Sequence, residues 1–286
     1  MKKIDKESPC QVFLFLLFLY TFRMDLHKKT IILVTANSNK LNEINELFLK
    51  NDIVGCRILG CFIHIDEIQG SIQQICEKKT ANAFRILSTN SFYIKDGYCF
   101  INSNGEIHPD YPLQTLTDQF IVMVENTYLG FSALKGLPGP FTRCFFNEIG
   151  CEGLINMLSA YEDKSSVATC AIGFCSKTNP DPHILIGECF GTIITLEEFG
   201  TASTEKAFGW DPIFVPNDFV NTFETMDLQL KIEISHRTNA FDKFICCFDN
   251  CLKSVCASSS CVSFNPSVHD SESDYEGEFV SSDEDY

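Results

Sequence analysis

The amino-acid sequence predicts an α/β fold built on a central mixed sheet. Short apolar runs rich in β-branched residues, such as Thr30–Thr35, alternate with segments whose apolar residues recur at helical spacing, such as Lys40–Lys50. The chain has 286 residues, of which 45% are hydrophobic and 21% are charged. These proportions are ordinary for a soluble globular protein that buries a substantial core.

The elements of the first half follow in order. Thr30–Thr35 is apolar almost throughout, which is typical of a strand buried on both faces. The polar turn 36–39 supplies capping residues for the predicted helix Lys40–Lys50. A strand is then predicted over Ile58–Ile65, followed by an acidic turn and a helix over Ile72–Leu87.

Residues Ser88–Asp118 lack clean periodicity and are rich in Asn, Ser, Gly, Asp and Pro. They predict a long loop insertion with a short hairpin around Asn104 and Gly105.

The second half continues the alternation. An apolar strand is predicted over Phe120–Val124, and a stiff turn rich in Gly and Pro follows it. The remaining predicted elements are helices over Phe141–Ile149 and Glu152–Leu158, paired strands over Val167–Ser176 and Ile184–Leu196, and a closing helix over His236–Phe248.

The net charge of −16 argues against a general nucleic-acid-binding surface, which needs a basic face. Eight acidic residues lie between His269 and Tyr286 without any Lys or Arg. A phosphate site therefore has to be a local basic pocket. We expect a leader over 1–23, a domain over 24–250 and a disordered Ser-rich acidic tail over 251–286.

The cysteines and the N-terminal residues indicate the cellular compartment of the protein. Fifteen cysteines, an odd number scattered through apolar runs, indicate free thiols and a cytoplasmic protein. The alternative of a zinc site at Cys247, Cys251, Cys256 and Cys261 stays open, although no Cys-x-x-Cys pair occurs there. The apolar run Val12–Phe22 is too short to span a bilayer. It is a signal-peptide core, a dispensable leader, or a stretch before a true start at Met24.

Two local patterns suggest a nucleotide site. The strand, polar turn and helix around Thr35, Asn37 and Lys40 would point free N–H groups and a helix N-terminus at a phosphate. Farther on, the only tryptophan, Trp210, offers a flat face for a base, and His236-Arg237 offers hydrogen-bond donors.

Six motifs, taken together, resemble the inosine triphosphate pyrophosphatase (Ham1-like) family in order and, apart from the 88–118 segment, in approximate spacing. They are Thr35-Ala36-Asn37-Ser38-Asn39-Lys40, Glu67-Ile68-Gln69-Gly70, Glu125-Asn126-Thr127, Phe131–Pro140 (FSALKGLPGP), Phe208-Gly209-Trp210-Asp211-Pro212 and Ser235-His236-Arg237.

The resemblance implies a fold and a reaction. The expected fold is elongated and two-lobed, with a long mixed sheet and a nucleotide cleft between the lobes. Family members are usually homodimers that use Mg²⁺, with Mn²⁺ as a substitute, to hydrolyse ITP, dITP and XTP to the monophosphate and pyrophosphate. We therefore expect purine nucleoside triphosphates as substrates, and neither nucleic acid nor stable membrane association.

The resemblance also implies roles for individual residues. Lys40 and Lys79 would hold the triphosphate, with Thr35 and Asn37 in the same turn. Glu67, together with Glu125 and Asn126, would ligate the metal ion. Residues that would shape the base pocket or meet the 6-oxo edge and the phosphates are Phe208, Gly209, Trp210, Asp211, Lys231, His236 and Arg237. Donors facing a 6-oxo group would reject adenine.

The sequence departs from the family pattern at Asn126, where Asp is expected as a metal ligand or water activator. An amide oxygen can ligate Mg²⁺, but it cannot take a proton, and loss of general-base help typically costs ~10²–10⁴ in rate. Ala36 and Ile232 are smaller departures. Three alternatives remain: an active pyrophosphatase in which Glu125, Asn126 and Lys40 act catalytically, a nucleotide-binding relative without activity, or a scaffold whose added segments bind proteins.

Overall fold

A computed structural model of the chain describes residues 29–35, 37–51, 56–102, 110–199 and 209–248. The contacts divide the chain into units 1–250 and 251–286, and every described residue belongs to the first. The strands are β1 (Thr30–Val34), β2 (Arg57–Cys61), β3 (Phe92–Lys95), β4 (Tyr98–Ile101), β5 (Phe120–Phe131), β6 (Pro138–Gly139), β7 (Ser165–Ser176), β8 (His183–Ile193) and β9 (Phe214–Pro216). The helices are α1 (Ser38–Lys50), α2 (Ile72–Thr89), α3 (Thr142–Asn156), α4 (Leu196–Phe199), α5 (Leu228–Ile234) and α6 (His236–Phe248).

The strands form one mixed sheet in the order β3-β4-β2-β1-β5-β7-β8-β9, with β6 paired to β5. The neighbours β4, β2, β1 and β5 run parallel, and the other pairings are antiparallel. This arrangement confirms the predicted class, a mixed α/β fold around a central mixed sheet.

Alternate residues of the central strands face two helical layers. Ile31 and Leu33 of β1 pack in one cluster with residues of α1 and α6. Ile32 and Val34 pack in a second cluster with residues of α2. The same alternation along β5 sends consecutive side chains to opposite faces of the sheet.

The segment 88–118 contains a β-hairpin, so the predicted long loop is wrong over part of its length. Strands β3 and β4 pair in antiparallel register, and β4 adds to the sheet beside β2. The turn is Asp96-Gly97, with φ of 49° and 82°. Such positive angles at both central residues suit a two-residue hairpin turn. The predicted turn at Asn104-Gly105 lies outside the described residues.

Other predictions need smaller corrections. The predicted strand Ile58–Ile65 ends at Cys61, whereas the strand predicted over Phe120–Val124 continues to Phe131. The two helices predicted around residue 150 form α3, which is interrupted at Gly150 with a φ of 61°. Strand β9 and helix α5 were not predicted. Among the described residues, no helix is both long and apolar enough to cross a membrane.

Candidate functional site

Strand β5 places Glu125 and Asn126 side by side, with their side chains on opposite faces of the sheet. Glu125 faces α1 and α6, where it contacts Lys40 and Arg237. Asn126 faces α2, where it contacts Lys79. Both residues are buried, with exposed fractions of 3% and 7%. The adjacent pair therefore serves two different groups of side chains, which we name the Glu125 cluster and the Asn126 cluster.

The Glu125 cluster encloses one carboxylate among several donors. Lys40 Nζ lies 2.6 Å from Oε2, while Thr127 Oγ1 and Arg237 Nε donate to Oε1 at 2.7 and 3.3 Å. The thiol of Cys170 also donates to Oε1, at 3.3 Å. Burial alone would raise the pKa of Glu125, but the charges of Lys40 and Arg237 hold it far below its ordinary value. The carboxylate is consequently ionised and is a poor proton acceptor.

Arg237 is the other centre of this cluster. Its guanidinium donates through Nη1 to Glu43, through Nε to Glu125 and through Nη2 to Thr127 at 3.2 Å. Burial would lower the pKa of Arg237, but the carboxylates of Glu125 and Glu43 raise it above its ordinary value. Glu43 was not among the predicted site residues, although its position three residues after Lys40 places it on the same face of α1.

The Asn126 cluster joins the acidic turn to helix α2. Lys79 Nζ lies 2.7 Å from Glu67 Oε1 and 2.9 Å from Asn126 Oδ1. The amide nitrogen of Asn126 donates to Tyr128 Oη at 3.0 Å. Burial opposes ionisation of Glu67, yet Lys79, Arg143 and Lys40 lower its pKa overall. Because the Glu67 side chain is 37% exposed, this carboxylate is within reach of solvent.

The Asn126 cluster can also be tested against a divalent metal ion. One carboxylate oxygen and one amide oxygen converge there, and Mg²⁺ is commonly held by one or two carboxylates together with waters and substrate phosphates. The donor set therefore suits a metal that arrives with phosphate ligands. The described residues contain no group of three or more His, Cys, Asp or Glu side chains arranged for a metal. Glu125 faces away from these oxygens and is fully enclosed.

A third group lies beside the Glu125 cluster. Asp211 is buried and forms an ion pair with Lys231, whose ammonium also lies 5.5 Å from the centre of the Phe223 ring. Burial is the main influence on Asp211 and raises its pKa to about 6, against the opposing pull of Lys231. Lys231 also lines a small cavity of about 10 Å³ together with Glu43 and Arg237.

His236 is buried in an aromatic group. Its ring lies 5.6 Å from Trp210 and 5.9 Å from Phe223, measured between ring centres. Neither ring nitrogen has a hydrogen-bond partner among the described residues. Burial, with Arg237 next, depresses the pKa of His236 far below its usual value, so the imidazole is neutral. A neutral imidazole has one donor and one acceptor nitrogen, and in His236 both of these nitrogens are buried.

The remaining predicted site residues lie in turns. Asn37 caps α1, and its side-chain oxygen accepts from the backbone N–H groups of Asn39 and Lys40. Thr35 Oγ1 accepts from the N–H of Asn37 at 3.1 Å, so the turn is held by its own side chains. Gly209 has a φ of 59°. Phe208 and Ala36 lie outside the described residues.

Trp210 belongs to the core of the molecule as well as to the site. It is 7% exposed and packs at 5.5 Å from Phe214, within a cluster that also contains Leu129 and Phe131 of β5. Among the described residues, the buried Trp210 ring therefore packs against the ring of His236.

Fold and site together define a mixed α/β protein whose central strand meets a lysine on each face, at the buried Glu125 on one face and at Asn126 on the other. A sequence profile of the Ham1 family matches residues 31–246. The chain belongs to the Ham1 family.

Named relatives and solved structures agree with this assignment. The chain is 31% identical over 214 residues to the inosine triphosphate pyrophosphatase of Yarrowia lipolytica, covering 75% of this chain and 93% of that protein. It is 34% identical over 215 residues to the protein of the same name from Batrachochytrium dendrobatidis, covering 74% and 90%. A Ham1 protein structure from Staphylococcus aureus matches with a TM-score of 0.53 at 19% identity, covering 76% of this chain and 96% of that one. A HAM1 protein structure from Coxiella burnetii matches with a TM-score of 0.52 at 20% identity and the same coverage. At these identities the structural matches support the fold alone.

Proposed function

We propose that this protein hydrolyses non-standard purine nucleoside triphosphates, namely ITP, dITP and XTP, to the monophosphate and pyrophosphate. One observation carries the proposal: two lysines from separate helices, Lys40 and Lys79, meet the adjacent positions Glu125 and Asn126 of one strand. In a chain of net charge −16, two lysines that reach adjacent positions of one strand from its two faces suit a triphosphate. Its membership of the Ham1 family and its named relatives support the same reaction.

In this proposal lysine side chains bind the phosphates, and the buried, ionised carboxylate of Glu125 does not act as the proton acceptor. Lys40 sits at the N-terminal turn of α1, where both its charge and the helix N-terminus favour an anion. Glu67 is the carboxylate that water can reach, so we assign to it the orientation of the attacking water. The reaction adds water across the bond between the α- and β-phosphates and releases pyrophosphate.

A divalent metal ion, Mg²⁺ or Mn²⁺, fits this proposal. Glu67 and Asn126 would hold it through their oxygens, and when bound it would supply a positive charge that stabilises the charge developing on the phosphates. Glu125 has a different role here. It keeps Lys40 and Arg237 in place, because all three side chains meet at its carboxylate.

Selectivity for a 6-oxo purine would come from donors near Trp210. The N–H of the neutral His236 ring and the Lys231 ammonium can donate to a 6-oxo group. An adenine amino group would leave the N–H of His236 unpaired, and a buried unpaired donor costs binding energy. We therefore expect ATP to be a much poorer substrate than ITP.

The proposal is tested by measuring pyrophosphate release from ITP, XTP and dITP, with ATP and GTP as controls, with and without Mg²⁺. The wild type and Asn126→Asp are compared side by side. Release from ITP by the wild type, dependent on Mg²⁺, is the expected result. Release by Asn126→Asp alone would instead identify a nucleotide-binding relative that lacks the activating carboxylate.

We also propose that the protein is a cytoplasmic homodimer. Helix α3 and its N-cap expose an apolar stripe of Phe141, Phe145 and Ile149, each 38–41% exposed, and Leu137 shortly before it is 50% exposed. Contiguous exposed apolar patches of this kind often mark interfaces. The cysteines among the described residues are free thiols, which suits a reducing compartment. We expect neither nucleic acid nor a membrane as a partner.

A further inference from the structure

The two donors proposed to meet the 6-oxo group share one aromatic neighbour. Phe223 is 2% exposed, and its ring centre lies 5.9 Å from the centre of the His236 ring, with 26° between the two planes. The ammonium of Lys231 lies 5.5 Å from the centre of the same Phe223 ring. An ammonium at this distance is attracted by the negative charge of an aromatic face. Phe223 therefore contacts both side chains that are proposed to read the base.

The His236 ring depends on packing for its orientation. The orientation of a functional histidine is commonly set by a hydrogen bond at the ring nitrogen that the ligand does not use. Neither nitrogen of His236 has such a partner among the described residues. The ring instead packs against Trp210 at 5.6 Å and against Phe223. Because both of these rings are buried, they restrict rotation of the imidazole in place of a hydrogen bond.

Phe223 is itself held by its own backbone and by a further ring. Its N–H donates to the carbonyl oxygen of Phe214, the first residue of β9, at 3.0 Å. In the turn that follows, the N–H of Met226 donates to the carbonyl oxygen of Thr222 at 2.9 Å. The rings of Phe223 and Phe214 lie 4.9 Å apart. A side chain that is fixed in this way can hold the side chains packed against it in one geometry.

We propose that Phe223 is a positioning residue for recognition of the 6-oxo purine, because its ring holds the His236 imidazole by stacking and the Lys231 ammonium by a cation–π contact. Phe223 lies between the motif that ends at Pro212 and the motif that begins at Ser235, so neither motif includes it. This inference rests on the proposed function and adds a residue that determines its base specificity. Phe223 acts through its two neighbours and not through contact with the base.

The first experiment measures binding of the α,β-methylene analogues of ITP and ATP, which cannot be cleaved between the α- and β-phosphates, to the full-length protein. Trp210, the only tryptophan, reports binding by its fluorescence because it packs against His236. Phe223→Leu removes the ring and keeps an apolar side chain. We expect it to weaken binding of the ITP analogue about tenfold and binding of the ATP analogue by less than about twofold, since only a 6-oxo group accepts from the positioned donors. Equal weakening for both analogues would show that Phe223 only stabilises the fold, and would overturn the proposal.

Matched variants separate the ring from the loss of packing. Phe223→Tyr keeps the ring and is expected to keep most of the preference for the ITP analogue. Phe92→Leu removes a fully buried ring in the cluster beside α2, and it should lower stability while leaving the preference unchanged. A preference lost in Phe92→Leu, or lost as fully in Phe223→Tyr as in Phe223→Leu, would contradict the inference. Phe223→Met, whose flexible side chain fills more of the vacated space, replaces Phe223→Leu if that variant does not fold.

A double-mutant cycle tests whether Phe223 acts through Lys231. Lys231→Met alone should lower the preference for the ITP analogue, and adding Phe223→Leu should lower it further by less than Phe223→Leu does alone, because the cation–π contact is already absent. Fully additive effects would overturn the cation–π contact. These measurements do not need turnover. A protein that binds the ITP analogue but does not cleave ITP would lose the proposed reaction and keep the inference, whereas an active enzyme whose preference survives Phe223→Leu would lose only the inference.

Discussion

At the scale of single residues, Glu125 shows how burial and charge together set the state of a group. Its carboxylate has no exposed surface, but two cations and two further donors keep it ionised. Removing one partner of such a buried arrangement leaves the charges of the other partners uncompensated. The stability that is then lost exceeds the stability that the intact arrangement contributes.

The Glu125 cluster gives a first prediction. We expect Glu125→Gln to lower the free energy of unfolding by about 3–5 kcal/mol at pH 7, because Lys40 and Arg237 lose a buried counter-charge. A depressed carboxyl pKa stabilises the folded state above the ordinary value of 4.5, and that contribution is lost as the pH falls toward the folded pKa. The difference between wild type and variant, measured by urea unfolding, should therefore be constant above pH 5 and shrink below 4.5. Glu67→Gln, at a half-exposed pair, should cost less than about 1 kcal/mol.

His236 gives a second prediction with a different pH range. Its folded pKa lies far below the ordinary 6.5, so below that pH the unfolded chain takes up a proton that the folded protein does not. Stability from this residue should thus fall as the pH drops from 6.5 to 5, by up to about 1.4 kcal/mol per pH unit. His236→Phe should remove this slope and keep the fold, while reducing kcat/KM for ITP. An identical slope in the variant would show that His236 is charged or exposed in the folded protein.

At the scale of elements, the beginning of α1 connects local sequence to the site. Asn37 caps the helix through its side chain, and Lys40 lies three residues later at the position that meets Glu125. This unit could be predicted from the sequence because its determinants are local: an apolar strand, a capping residue and a helical apolar pattern.

We predict that Asn37→Ala lowers the free energy of unfolding by about 1 kcal/mol, the usual cost of losing an N-cap. It should also raise KM for ITP, since Lys40 is placed by the first turn of the helix. Asn39→Ala, at an exposed position in the same turn, should change stability by less than about 0.5 kcal/mol. Thermal unfolding of the wild type and the two variants would measure these losses of stability. Equal losses in both variants would show that the Asn37 side chain does not stabilise the helix as its N-cap.

The packing of α6 on β8 depends on a close approach that the sequence did not reveal. A Cβ atom added to Gly187 would lie 2.1 Å from the backbone nitrogen of Ala240 and 2.3 Å from the carbonyl oxygen of His236. We expect Gly187→Ala to push α6 away from the sheet and lower the free energy of unfolding by about 1–3 kcal/mol. It should lower ITP hydrolysis as well, because His236 and Arg237 begin α6. A Cβ atom added to Gly70 would lie no closer than 3.0 Å to the Gln74 side chain, so Gly70→Ala is the control.

At the scale of the whole molecule, the alternating pattern of strands and helices was enough to predict the class of fold, whereas long-range partners were not predictable. Arg237 meets Glu43 across 194 positions of sequence, and no local pattern indicates that contact. The β3–β4 hairpin is a different case. Its Asp96-Gly97 turn is a strong local signal flanked by two short apolar runs, but the polar composition of the rest of 88–118 obscured them.

The exposed stripe of α3 gives the last prediction, which concerns the assembly. Phe145 and Ile149 lie four residues apart on one face of the helix before its interruption at Gly150, and Phe141, the N-cap, precedes Phe145 by the same interval. If two copies bury this face against each other, a charge in its middle should separate them, because an unpaired carboxylate would be desolvated in the interface. We expect Phe145→Asp to convert the wild-type dimer to a monomer in light scattering after size-exclusion chromatography, with the thermal midpoint little changed. Phe190→Asp places the same charge at a residue of β8 that is 59% exposed, and it should leave the dimer intact. A monomeric wild type, or a dimer that survives Phe145→Asp, would show that this stripe does not hold two copies together.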